Sequence, residues 1–471
     1  MPRHPAECEI MKTRWLTVLG LFLAQFASSG EVLIRFCPGS IYHPGRSPFG
    51  AGDPQKGFEE VARAFEAENP GVKIRFEMVP GSREFFLTQV ANGNSPEILQ
   101  ANAEELLPDI GKGWYLPLDS WLDRPNPYSS GKKQSWLDDF AYPAAYAKRR
   151  GEDGKIYTVC YDINETAIFY NKTKWKELGL GEPKTWAEFL RDMNAIRAAG
   201  YQPINTGLAF HVDWNLDLFF DQLYAPLYSE MFPRLGRGAP PSNITGREML
   251  ALFDKGYFQA SDPRFRELWR LVREFRQYAP RDILHSDPVR DFLSGQSLML
   301  WNSSFLSYRL QMMKPDFEIG VFYPPPMTRE TSPFATGVPF ASLGGAGTQY
   351  AVAKSAWNDT GDPATSPKLA ATVAFLQWMS SEPRYSRVVA ERPMMIPILK
   401  GVPVPETLHD FLPILERRSV PIRWYSLFDL RFRDNLRRNA ELYLNGYMSL
   451  DRFIETQEGN FRQAARSLRA L

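Results

Sequence analysis

Reactive side chains are plentiful in this chain, but few of them stand at spacings that chemistry requires. The carboxylates pair side by side, as Glu59-Glu60, Glu104-Glu105 and Asp138-Asp139. Adjacent carboxylates diverge, whereas glycosidic cleavage needs two facing carboxyls a set distance apart, so these pairs read as solvated faces. The five histidines, at 4, 43, 211, 285 and 409, lack metal-ligand spacing. No Gly-x-Ser-x-Gly elbow occurs. Gly344-Gly345-Ala346-Gly347 lacks the Lys-Ser/Thr that completes a phosphate loop. The expectation is no catalytic residue, no metal and no cofactor.

Aromatic residues are the richer source, with 12 Trp, 20 Tyr and 32 Phe. Most rings go to cores; pocket candidates are those beside polar residues at strand ends and loops. Trp301 and Asn302 follow the apolar run Ser297–Leu300. His211, Asp213 and Trp214 form a polar-aromatic break before a helix, where capping is the alternative role. Tyr161, Asp162 and Asn164 form another such group. Gly344 and Gly345 allow close backbone approach, to a ligand or simply within a tight turn. Trp424 and Tyr425 precede a long helix that they could equally staple. Asn102, Glu104 and Trp114 are weaker candidates.

The elements that position these residues are legible from pattern. The chain has 471 residues, 44% of them hydrophobic, enough for two lobes around large cores. A net charge of +1 argues against a nucleic-acid partner. Met11-Lys12-Thr13-Arg14 is basic, Trp15–Phe26 is apolar and short, and Ala27-Ser28-Ser29-Gly30 is small. That layout is a secretory signal peptide over residues 1–30, with Met11 as initiator and cleavage after Ser29 or Gly30. Cys37 lies too far on to carry a lipid anchor, and Cys8 leaves with the leader. Cys37 and Cys160 then form a disulfide or stay as two buried thiols. Glu31–Cys37 reads as a strand, Phe58–Asn69 as a helix stopped by Pro70-Gly71, and Val72–Val79 as a second strand, a parallel βαβ unit. Trp186–Ala199, Phe265–Tyr278, Lys368–Ser381, Leu427–Leu444 and Leu450–Leu468 have helical spacing.

Five segments then carry a resemblance. They are Phe58–Phe76 (FEEVARAFEAENPGVKIRF), Gly154–Tyr157 with Tyr161–Lys172 (GKIY, YDINETAIFYNK), Pro183–Phe189 (PKTWAEF), Gly344–Gly347 leading into Tyr350–Lys354 (YAVAK), and Phe375–Glu382 (FLQWMSSE). In this order they resemble the family 1 extracellular solute-binding proteins of bacterial ATP-driven importers, the maltodextrin-binding-protein-like group. The resemblance runs from about Glu31 to the C-terminus. It implies an α/β, two-lobed periplasmic-binding-protein fold, each lobe a sheet flanked by helices, joined by a hinge. Lobe one would be 31–161 plus 338–398, and lobe two 162–337 plus 399–471. The chain would cross between them near Tyr161–Asp162, Gly337–Phe340 and Ile398–Pro405.

The same resemblance implies that Trp301 is a pocket aromatic, that the 211–214 region touches ligand, and that Trp424 or Tyr425 brings in a late ring. A sugar suits such a pocket, because its C–H faces lie on aromatic rings while its hydroxyls pair with polar groups. The implied function is a periplasmic, monomeric receptor that closes on a sugar or oligosaccharide and hands it to a membrane permease. A secreted carbohydrate-active enzyme is the alternative, as is a sensor partner with the same fold.

Overall fold

The computed structural model describes residues 31–46, 54–78, 83–101, 106–131, 133–141, 151–207, 214–236, 244–283, 285–343, 347–357, 362–391, 393–422 and 430–470. The expected signal peptide lies outside these residues.

The chain opens with β1 (Val32–Cys37), α1 (Gly57–Glu68) and β2 (Val72–Phe76). β1 and β2 pair in parallel, Ile34 opposite Ile74, which is the crossover the sequence pattern requires. Glu59 and Glu60 occupy the first turn of α1, where carboxylates suit the helix dipole. Its apolar stripe, Phe58, Val61 and Phe65, is buried in the same core as Phe36 and Ile74. β3 (Ile98–Gln100), β4 (Thr158–Cys160) and the later strand β10 (Gln349–Val352) complete a five-stranded sheet in the order β2-β1-β3-β10-β4. Glu97, whose side chain is fully buried, fastens this sheet: it pairs with Arg35 and with Lys368, each at 2.8 Å. Burial alone would raise its pKa, but those hydrogen bonds hold it below the usual carboxylate value.

Between β4 and β10 the chain builds a second sheet. β5 (Asp162–Ile163) leads into β6 (Thr166–Asn171), α2 (Trp186–Ala198), β7 (Gln202–Asn205), α3 (Trp214–Tyr224), α4 (Pro263–Arg276), β8 (Ser297–Ser303), α5 (Leu306–Met313) and β9 (Ile319–Phe322). The order is β7-β8-β6-β9. Ile168, Met299 and Trp301 face a core formed with α2, α3 and α4, whereas Phe169 and Leu300 belong to the core that includes the first sheet. That division follows from strand alternation.

After β10 come α6 (Pro367–Met379), α7 (Glu382–Glu391), β11 (Ile396–Pro397), α8 (Leu430–Leu444) and α9 (Leu450–Arg469). The helices expected from spacing are present, with ends set by caps. Asp262 accepts from the Arg264 amide and Pro263 occupies the first turn of α4, so that helix begins before the apolar stripe does. Among the described residues no helix is long and apolar enough to cross a membrane.

Cys37 and Cys160 are both buried. β1 and β4 are three strand steps apart, about 14 Å at ordinary strand spacing, well beyond disulfide reach. Of the two readings that the sequence allows, the structure holds the thiols.

Candidate functional site

Strand direction fixes where a ligand can enter. β1, β3 and β4 point the same way, and β10 runs against them. The connection after β4 therefore leaves the first sheet at its carboxyl edge, and the one before β10 arrives there. In the second sheet β7 and β8 are parallel and β6 opposes β8, with Thr166 opposite Ser303. The carboxyl edge of β7 and β8 is thus where β6 begins. Both carboxyl edges adjoin the same connections, and ligands of open α/β sheets sit at such edges.

Three connections meet there. Tyr161 donates its amide to Thr348 O at 2.9 Å and accepts from Ile398 N at 3.0 Å. β5 and β11 pair antiparallel, Ile163 opposite Ile396. Gly347 lets two of the connections touch, since a Cβ there would fall 1.8 Å from the Asp162 carbonyl oxygen. Of the second connection, Ser342 and Leu343 and then Gly347 and Thr348 are described at this place, a few residues beyond the expected Gly337–Phe340, and Phe340 is buried in the core beside Trp186.

The polar residues of this hinge are occupied by one another. Tyr161 is fully buried and its hydroxyl donates to Leu376 O at 2.7 Å. The Asp162 carboxylate, also fully buried, accepts from the Tyr42 hydroxyl at 2.9 Å, from the Thr348 amide at 2.6 Å and from the Tyr385 hydroxyl. Burial pushes its pKa up, against the pull of those donors. Asn164 Oδ1 accepts from the Ser304 hydroxyl at 2.9 Å, and from the Ser303 hydroxyl. Glu165, which sequence reasoning passed over, accepts from the Leu343 amide at 3.1 Å and the Ser342 hydroxyl at 2.5 Å.

The expected pocket aromatic has a different place. Trp301 is fully buried, its ring 5.6 Å from Phe275 and 6.4 Å from both Phe219 and Trp186. Alternation along β8 sends the ring inward, while Asn302 is partly exposed and accepts from the Ser303 amide at 2.8 Å. Trp214 opens α3, with its side chain outside the description. His211, Asp213, Gly344, Gly345, Trp424 and Tyr425 lie outside the described residues, as do Asn102 and Glu104. Trp114 adjoins Lys354, beyond the end of β10 that meets the start of β3, so it stands at the edge opposite the carboxyl ends.

Sequence reasoning expected a helix after this break, and α3 is that helix, but its buried polar residues were not singled out. The helix WNLDLFFDQLY is buried throughout its described length, Asn215, Asp217, Asp221 and Gln222 included. Polar groups inside a helix that is buried all round must find partners. Asp221 does: Arg418 reaches it at 2.7 Å and the Tyr228 hydroxyl at 3.0 Å. Polar positions breaking an apolar helix were the signal available in the sequence.

Two α/β sheets joined by interlocked connections at their carboxyl edges make a two-lobed fold. The family model for bacterial extracellular solute-binding proteins matches residues 51–383, and the chain belongs to that family. A multiple sugar-binding protein of Streptococcus mutans serotype c is 24% identical over 268 residues, 56% of this chain and 58% of that protein. The chain thus matches little more than half the length of that relative. Among solved structures, RafE in complex with raffinose superposes with a TM-score of 0.64 at 19% identity, over 92% of this chain and 100% of that one. A chitin oligosaccharide binding protein gives 0.63 at 18%, covering 93% and 100%. These likenesses establish the fold.

Proposed function

We propose that this chain is the extracytoplasmic solute-binding component of an ATP-driven import system. It binds a sugar or oligosaccharide between the two carboxyl edges and delivers it to a membrane permease. Residues 31–161 with 347–398 act as one lobe and residues 162–343 with 399–471 as the other, Phe340 and Leu343 being packed in the second core. The protein works as an exported monomer in the periplasm, without catalysis.

The observation that carries the reading is the hinge: three connections bonded to one another where both carboxyl edges meet. A ligand touching both lobes there favours the closed form by its differential affinity. The sugar class is supported by similarity to proteins described as binding raffinose, chitin oligosaccharide and maltotriose. Among the described residues no group of three or more His, Cys, Asp or Glu is placed to hold a metal, and the adjacent Asp138 and Asp139 do different jobs. Asp138 caps a helical turn, while the carboxylate of Asp139 takes the Asn126 amide at 3.1 Å.

A thermal-shift screen of residues 31–471 against sugars, oligosaccharides, amino acids and polyamines tests this. At 100 times the dissociation constant a ligand adds about 2.7 kcal/mol of stability, which is read as a rise in melting temperature. A rise with raffinose or maltotriose, with the sugar recovered intact, is the expected result. A rise only with amino acids or polyamines would overturn the sugar class, and turnover of the sugar would overturn the binding-only role.

A further inference from the structure

Asn215 stands apart from every other buried polar residue described. It is 2% exposed, yet among the described residues neither its amide oxygen nor its amide nitrogen has a hydrogen-bond partner. Among the described residues it is the one side chain with two such atoms. Burying an amide without partners is costly, and native folds rarely do so.

Its position gives the amide a use. Asn215 lies in the first turn of α3, at the carboxyl edge that β7 leads into. Phe219, four residues on and so on the same helix face, lies nearly parallel to the Trp301 ring. Two further buried groups at this edge lack partners among the described residues: the hydroxyl of Thr166, opposite Ser303, and that of Ser307, whose amide is bonded to Ser304 O.

Resting on the sugar reading above, we propose that Asn215 is a ligand-binding residue of the second lobe, its amide reading two adjacent hydroxyls of the sugar. The oxygen accepts from one hydroxyl and the nitrogen donates to its neighbour. Planar amides suit this task because donor and acceptor are held about as far apart as the oxygens of a vicinal diol. The Thr166 and Ser307 hydroxyls extend the same polar edge.

Asn215→Leu keeps the size of the side chain and removes both hydrogen-bonding atoms, and Asn215→Ser serves as a second variant should leucine fail to fold. Both are compared with the wild-type chain by calorimetric titration with raffinose, maltotriose and galactose, and by melting without sugar. The expected result is a melting temperature equal to or above wild type, with affinity for the bound sugar lowered about 10- to 100-fold. Unchanged affinity in a folded variant overturns the assignment and leaves Asn215 as a core amide. If the wild-type chain binds none of the three sugars, the sugar reading falls, and the assignment with it.

Discussion

The hinge and the carboxyl edge of the second sheet are neighbours built from similar residues, yet they treat polar groups in opposite ways. At the hinge, Tyr161, Asp162, Asn164 and Glu165 are buried and each has protein partners. At the edge, Asn215, Thr166 and Ser307 are buried with side-chain atoms that have none among the described residues. A satisfied polar network fixes geometry, because breaking any one bond strands the others. An unsatisfied group keeps its hydrogen-bonding capacity for something else. The contrast separates the interlocked hinge residues from those that the proposal assigns to the ligand.

Removing core volume beside the edge has the largest expected effect. Trp301→Ala should cost about 3–5 kcal/mol of stability, read by urea unfolding. A variant of wild-type stability with weakened sugar binding would restore Trp301 as a pocket ring and blur the contrast.

Next comes the hinge. Asp162→Ala leaves two buried tyrosine hydroxyls and the Thr348 amide without their acceptor. The expected loss is about 2–4 kcal/mol, at one to three per stranded group with partial relaxation. A loss below about 0.5 kcal/mol, within the range of ordinary surface substitutions, would show that the hinge does not depend on this network.

The smallest effect calibrates the others. Asp192, half-buried on α2, has its pKa pushed up to about 6, first by burial and then by the neighbouring Glu188. A raised carboxylate pKa means the folded state binds the proton more tightly. Its contribution is full below the ordinary value near 3.8 and is lost as pH rises through about 6. Asp192→Asn should therefore stabilise the chain by about 1 kcal/mol at neutral pH, after allowance for solvent screening, and by nothing below about pH 4. Melting curves across pH check this; a gain that persists in acid would contradict it.

Much of the architecture was legible in the sequence because periodicity and caps are local. The Glu31–Val79 unit gave strand, helix and strand in the right order and pairing, and α2, α4, α6 and α9 fall where the apolar spacing put them. The site was less legible because its roles depend on partners distant in sequence. Tyr161 and Asp162 stand together as expected, but their bonds run to Leu376, Tyr42 and Tyr385, which no local pattern could reveal. Trp301 adjoins a polar residue in sequence and faces away from it in space, since strand neighbours point to opposite sides. Asn215 was invisible because having no partner is a property of the whole fold.

The most direct test is a crystal structure of the chain with a sugar found in the screen. The account predicts density between the two carboxyl edges, with a sugar hydroxyl at about 2.7–3.2 Å from the Asn215 amide and the Asp162 and Asn164 bonds intact. Sugar bound elsewhere, or bound by displacing the partners of Asp162, would contradict it.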